Sequence, residues 1–202
     1  MIRKVKILDH HDRFEKQIEN IIKYGLDIVS DNNYKVDEKE IILEGLLLRA
    51  CALWEKFLGI EIVYLISFDP RKLLQQIELP ANTSLTVNLI KAILFSNRFL
   101  DFNDIDKTKH YFKTYLVREF NPLNNVSSNF FHRIRFTYRL RNYLAHYSDY
   151  SKRKLKEELV NKYNYTLFVE PGKFLRKQNG KYFEQLIHNF SLISATMRKS
   201  IK

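Results

Sequence analysis

Glycine and proline, the residues that most often end regular secondary structure, are scarce in this chain. Its 202 residues include only 5 Gly and 4 Pro, whereas Tyr and Phe occur 12 and 15 times. With so few turn-forming residues, the chain is predicted to fold into long regular segments joined by few tight turns. No GxGxxG or GxxxxGK[ST] string occurs, which excludes the glycine-rich phosphate-binding loops.

Apolar residues recur at three-to-four spacing along most of the chain, which is the period of an amphipathic helix. In the first such segment Phe14, Ile18 and Ile21 follow Asp12, a residue suited to cap a helix. The predicted helices span residues 12–29, 37–67, 85–99, 106–117, 127–146, 151–163 and 184–201. The predicted fold class is therefore all-α, an antiparallel bundle of five to seven helices.

The pattern changes after Asn164. Tyr165-Thr-Leu-Phe-Val169 is rich in strand-forming residues, and Asn179-Gly180 is a turn-forming pair. This combination predicts a small β-hairpin appendage near residues 165–180.

The length of the chain suits one domain. We expect a single domain over residues 1–202, with a core over 12–163 and a C-terminal hairpin and helix over 164–202. No membrane association is expected, because five charged residues interrupt the apolar segment 41–68 and the first residues do not resemble a signal peptide. A single cysteine, Cys51, cannot form an intrachain disulfide, which makes the cytoplasm the expected location.

The chain is strongly basic. It has 34 Lys and Arg against 23 Asp and Glu, a formal net charge of +11. Such a charge attracts polyanions, so nucleic acid is the leading partner class. A Lys-rich surface that reflects compositional bias alone explains the charge equally well.

Metal and nucleophile motifs are absent from the sequence. The 6 His residues form no HExxH or HxH string and no cluster with cysteine, and no GxSxG string occurs. We therefore predict neither a metal site, nor a cofactor, nor a serine nucleophile.

The densest run of functional residues begins at Arg133. At 100° per residue, one polar stripe of the predicted helix holds Arg135, Arg139, Asn142 and His146. A guanidinium that grips phosphate and an imidazole that moves a proton near neutral pH suffice for metal-free cleavage of RNA, because the 2′-hydroxyl supplies the nucleophile. Arg133 and Arg135 are expected to bind RNA.

The string Arg141-Asn142-Tyr-Leu-Ala-His146 resembles the hallmark of the HEPN superfamily, an Arg followed by a polar residue and then a His. Leu53-Trp-Glu55-Lys-Phe57 is similar to a segment on an early HEPN helix, and the helix order over residues 12–163 also suits that fold. An Arg at this distance before a His is expected about once by chance in such a chain. The resemblance therefore depends on the full string rather than on the spacing.

The resemblance implies a bundle that forms a homodimer and brings two copies of the motif into one cleft. It also implies a metal-independent endoribonuclease of toxin–antitoxin or anti-phage defence systems, with an antitoxin or another defence protein as partner. Arg141 would hold the scissile phosphate, His146 would transfer a proton or contact the phosphate, and Asn142 would orient the pair, with Tyr147 in support. Members paired with a nucleotidyltransferase-type antitoxin commonly have Tyr where this chain has Ser148, which argues against that kind of partner.

Helix geometry conflicts with this assignment. An ideal helix separates Arg141 from His146 by roughly 140°. Either the helix unwinds near Ala145 and His146 swings round, or Arg139, seven residues before His146, shares the role. Arg139 ranks second because Leu140 follows it where the family has a polar residue.

A semi-buried Arg141 requires an anion. Glu44 and Glu55, eleven residues apart on the second predicted helix, are the expected partners. Glu55 either orients a catalytic arginine or forms a structural ion pair.

The leading functional hypothesis is a HEPN-type endoribonuclease that acts on RNA as a homodimer. A non-catalytic HEPN-like module that binds RNA or a protein partner is the alternative, followed by a bundle that only scaffolds protein assembly. Salt-sensitive RNA binding without turnover distinguishes the binding module from the enzyme.

Overall fold

The computed structural model describes residues 2–95 and 100–201. Regular structure in these residues is entirely helical, which confirms the all-α prediction. The described helices are α1 (Ile2–Ser30), α2 (Val36–Phe68), α3 (Arg71–Gln76), α4 (Val87–Phe95), α5 (Ile105–Tyr115), α6 (Ser128–His146), α7 (Asp149–Tyr163), α8 (Pro171–Arg176) and α9 (Lys181–Arg198). Two 3-10 turns, Arg118–Phe120 and Pro122–Asn125, precede α6. No helix within the described ranges is long and apolar enough to cross a membrane.

Helix α2 is the central element of the bundle. It is buried along most of its length, and α1, α6, α8 and α9 pack against it. Stacked aromatic rings fill the space between α1, α2 and α9, with Trp54 of α2 in contact with Phe57 and Phe190 at centroid distances of 5.5 and 5.3 Å. Burial of these large rings supplies much of the hydrophobic stabilisation of the bundle.

Helix α6 presents one face to the core and another to solvent. Ile134, Thr137 and Leu140 are fully buried, as the 3.6-residue period predicts. The helix ends at His146 because Tyr147 adopts a left-handed conformation with φ 45°. Ser148 then caps α7 by accepting a hydrogen bond from the Ser151 backbone N–H at 3.2 Å, and α7 packs back against α6.

The predicted β-hairpin near residues 165–180 is wrong. No strand occurs in this segment, and the chain forms α8 instead. Pro171 starts α8, where its missing N–H leaves no hydrogen bond unmade. Phe174 and Leu175 are fully buried, so contacts with the rest of the bundle outweigh the local strand preference.

The turn-forming residues of the same segment lie between two helices rather than between two strands. Gln178, Asn179 and Gly180 all have positive φ, as an Asn-Gly hairpin turn would require, but they join α8 to α9. The sequence therefore indicated the backbone conformation correctly and the flanking elements incorrectly.

Several other boundaries also differ from the prediction. Helix α1 begins at Ile2 and passes through Asp12, which pairs with Arg198 of α9 instead of capping a helix. The short helices α3 and α8 bring the described helices to more than the five to seven predicted, because six residues are too few to show an amphipathic period. Residues 96–99 of the predicted third segment lie outside the described residues.

Candidate functional site

The C-terminal end of α6 lines a small cavity with the start of α7. Three residues of the predicted polar stripe, Arg139, Asn142 and His146, meet in this cavity of about 190 Å³. The remaining lining residues are Asn103, Ser148, Tyr150, Ser151 and Lys154. Helix α6 remains helical through His146, so the unwinding near Ala145 does not occur. The helical period alone brings the three stripe residues together.

Arg139 is the cation of this cavity that is free to bind an anion. The other three arginines of α6 each have a partner: Arg135 pairs with Asp106 at 2.8 Å, Arg141 with Glu55 at 3.7 Å, and Arg133 donates to Asn189 at 3.3 Å. Arg139 is half-buried and makes no hydrogen bond or ion pair with any described residue. An unpaired guanidinium beside a cavity is a suitable binding group for a phosphate oxyanion.

Arg141 lies outside the cavity, on the side of α6 that faces α2. Its guanidinium pairs with Glu55 and also donates to the side-chain oxygen of Asn142 at 3.2 Å. Burial raises the pKa of Glu55, Arg141 opposes that shift, and the charge of Asp101 adds to it. The contact with Asn142 links the Glu55–Arg141 pair to the cavity and leaves the amide N–H groups of Asn142 without a described partner.

Glu44 is not a partner of Arg141, contrary to the prediction that both glutamates would serve. Its carboxylate accepts a hydrogen bond from the backbone N–H of Gly172 at 2.7 Å. A Cβ atom placed on Gly172 would lie 2.7 Å from Cβ of Glu40, so α8 can approach α2 this closely only with glycine there. Glu44 therefore holds α8 in place.

The two arginines predicted to bind RNA lie away from the cavity and from each other. Arg135 shares the stripe with His146 but is engaged with Asp106 of α5. Arg133 is directed toward α9, where it contacts Asn189, and its guanidinium lies 6.0 Å from the centroid of Phe130.

Two exposed tyrosines stand next to His146. Tyr147 and Tyr150 are 65% and 62% exposed, which is unusual for side chains of this size. Tyr147 contacts the ring of Tyr143 at 5.3 Å, and Arg153 lies 5.7 Å from the ring of Tyr150. The sequence indicated Tyr147, whereas Tyr150 and Lys154 join the site only through the turn between α6 and α7.

Within the described ranges, no group of three or more His, Cys, Asp or Glu side chains is placed to hold a metal ion. The cavity is lined by guanidinium, amide, imidazole, hydroxyl and ammonium groups. No protein-family model, curated protein or solved structure matches this chain.

Proposed function

We propose that this protein is a metal-independent endoribonuclease whose site is the cavity of Arg139, Asn142 and His146. The observation that carries the proposal is the unpaired guanidinium of Arg139, which lines the same cavity as the exposed imidazole of His146. These groups supply an anion-binding cation and a proton carrier in one place, which is what RNA cleavage without a metal requires.

The reaction uses the RNA's own 2′-hydroxyl. That oxygen attacks the adjacent phosphorus and loses its proton, the bond from phosphorus to the 5′-oxygen breaks, and the leaving oxygen takes up a proton. The products are a 2′,3′-cyclic phosphate and a 5′-hydroxyl. Arg139 and the amide of Asn142 stabilise the charge on the phosphoryl oxygens, and His146 carries one of the two protons.

A homodimer provides the second proton carrier. The cavity of one protomer contains one histidine, whereas the reaction needs both a proton acceptor and a proton donor. If the C-terminal ends of α6 from two protomers meet, His146 of the second protomer completes this pair. The resemblance to the HEPN superfamily supports this arrangement and extends the proposal to a toxin or anti-phage defence role.

RNA can be held by groups already at the cavity. Lys154 lines the cavity but is paired with Glu157 at 3.0 Å, which leaves Arg139 as its unpaired cation among the described residues. The exposed rings of Tyr150, which lines the cavity, and of Tyr147, which follows His146, offer faces on which unpaired bases stack. Single-stranded RNA is therefore the expected substrate.

The purified protein is expected to cut single-stranded RNA in excess EDTA and to leave 2′,3′-cyclic phosphate ends. His146→Ala and Arg139→Gln should each lower the cleavage rate by roughly 100-fold or more, because each removes a group that acts in the transition state. Gel analysis of end-labelled RNA measures the rates, and mass spectrometry identifies the ends.

Two matched variants serve as controls. His188→Ala removes an exposed histidine of α9 and should leave cleavage unchanged. Arg141→Gln should mainly lower the stability, since it leaves the carboxylate of Glu55 without its cation. Equal RNA degradation by wild type and His146→Ala contradicts the proposal, and salt-sensitive binding without turnover favours the non-catalytic module.

A further inference from the structure

A second cavity, of about 550 Å³, lies between α3, α5 and the 3-10 turns. Four cationic residues line it: Lys72, Lys109, Lys113 and Arg118. None of the described residues that line it is acidic. We call it the basic pocket.

Neighbouring groups position two of these lysines. Lys72 donates to the backbone carbonyl of Lys113 at 2.9 Å, and the ammonium of Lys109 lies 4.7 Å from the centroid of the Phe131 ring. Neither contact neutralises a charge. The pocket therefore concentrates positive charge rather than presenting scattered surface lysines.

Two acidic residues near the pocket are engaged elsewhere, and a third, the exposed Glu119, follows Arg118 but does not line the pocket. Asp106, one helical turn before Lys109 and His110 on α5, is paired with Arg135 through both carboxylate oxygens. Asp69, at the start of α3, is held by the guanidinium of Arg71. Lys113 and Arg118 are exposed and have no carboxylate partner among the described residues.

The basic pocket lies at the opposite end of the α6 stripe from the candidate site. Phe131, whose ring Lys109 contacts, lies one helical turn before Arg135. It is therefore on the same face of α6 as the stripe that ends at His146. Fifteen residues of helix at about 1.5 Å each separate Phe131 from His146 by roughly 22 Å along the axis. A stacked single strand that advances about 3.4 Å per nucleotide covers this distance with roughly six nucleotides.

We propose that the basic pocket binds backbone phosphates of the same RNA strand that is cut at His146, so that substrates must be long enough to reach both ends of α6. This inference rests on the proposed function for the identity of the strand. No Tyr, Phe or Trp is among the described residues that line the pocket, and the one ring among them, His110, already lies 6.2 Å from the ring of Tyr111. The pocket therefore offers little surface for stacking a nucleotide base and favours backbone contacts.

The test uses the double variant Lys113→Gln/Arg118→Gln and an uncleavable 2′-O-methyl oligonucleotide. The affinity for a strand of about twelve nucleotides should fall, and the slope of log affinity against log salt should decrease by about 1.4, because two phosphate contacts are lost. A strand of about four nucleotides cannot occupy both ends at once, so its affinity should fall less in the double variant than the affinity of the longer strand. Fluorescence anisotropy at several salt concentrations measures the affinity of each strand and its salt dependence.

The matched control is Lys16→Gln/Lys23→Gln, which removes the same charge from exposed positions on α1. If the double variant and the control lose affinity for the longer strand equally, only the net charge of the protein matters and the proposal is overturned. A preference of wild type for a nucleoside triphosphate over inorganic triphosphate, lost in the double variant, would also overturn it by assigning the pocket to a free nucleotide. Binding is measured here without cleavage, so the two proposals can fail separately. If the protein does not cut RNA but its affinity for the longer strand still falls in the double variant, only the nuclease proposal is refuted.

Discussion

Glu55 shows how one side chain connects the core to the candidate site. Its side chain and that of Arg141 are each 23% exposed, and their closest atoms lie 3.7 Å apart. Burial raises the pKa of this carboxyl despite the opposing charge of Arg141. The ion pair therefore does not fully offset the loss of water around the carboxylate.

We predict that Glu55→Gln is at least as stable as wild type at pH 8. The folded chain holds the proton of Glu55 to a higher pH than the unfolded chain does. Ionisation therefore costs stability as the pH rises from about 4.3, the usual glutamate pKa, through the raised value, and glutamine removes this cost. Denaturant unfolding of both proteins between pH 4 and pH 8 should show the advantage of the variant growing with pH.

Glu19→Gln, at an exposed position on α1, controls for the loss of one negative charge. A variant that instead becomes less stable relative to wild type as the pH rises would mean that attraction to Arg141 exceeds the cost of burial.

At the scale of the secondary-structure elements, the end of α6 determines the shape of the candidate site. Tyr147 has φ 45°, a left-handed conformation that is unfavourable for a side chain with Cβ, yet it follows His146 directly. Strained backbone of this kind is common where a side chain must be displayed for binding. The conformation reverses the chain so that α7 can place Tyr150 and Lys154 beside α6.

We predict that Tyr147→Gly is more stable than Tyr147→Ala by about 1 kcal/mol, since glycine adopts the left-handed conformation without strain. At a position inside a helix, the alanine variant would instead be the more stable of the two. Both variants remove the exposed ring and should weaken RNA binding to a similar extent. Thermal unfolding and anisotropy measure the two effects, and an alanine variant that is the more stable of the pair would contradict the argument.

In the whole molecule, the two ends of the chain close the bundle. Helices α1 and α9 pack along each other and against α2, and a polar network whose His11, Glu61 and Ser194 are fully buried joins them. His11 contacts Ser194 at 2.8 Å and Glu61 at 3.2 Å, and Ser194 donates to Glu15 at 2.9 Å. Breaking such a network leaves buried polar groups unpaired, so it holds α1, α2 and α9 in one register.

Close approach of α1 and α9 depends on Gly25. A Cβ atom at this position would lie 2.2 Å from the ring of Phe183, which is fully buried. We predict that Gly25→Ala destabilises the protein by roughly 1–2 kcal/mol, because overpacking outweighs the gain in helix propensity. Denaturant unfolding measures the change.

Gly45 provides the matched comparison. It is exposed on α2, and a Cβ atom there would meet nothing within 4 Å. Gly45→Ala should therefore stabilise the protein by about 0.5–1 kcal/mol through helix propensity alone. Equal stabilisation by both substitutions would show that the α1–α9 contact tolerates a methyl group.

Local patterns determined much of the helical layout. The helix predicted over residues 37–67 agrees within one residue at each end with the observed α2, Val36–Phe68. Helix α6 begins directly after Ser127 and ends at His146, as its sequence predicted. These segments are long, contain no proline and are bounded by residues that start or end helices, so their conformation depends mainly on residues close in sequence. The hairpin prediction failed because the burial of Phe174 and Leu175, which depends on distant residues, determined the structure of that segment.

The sequence by itself placed Arg139, Asn142 and His146 on one face, because their spacing matches the helical period. Only the tertiary structure decided which arginine is free to bind an anion. Asp106 comes from α5, Glu55 from α2 and Asn189 from α9, and each engages a different arginine of α6. Such partners lie between 29 and 86 residues away along the chain. No local pattern specifies them, because they meet only when the apolar faces of the helices pack together.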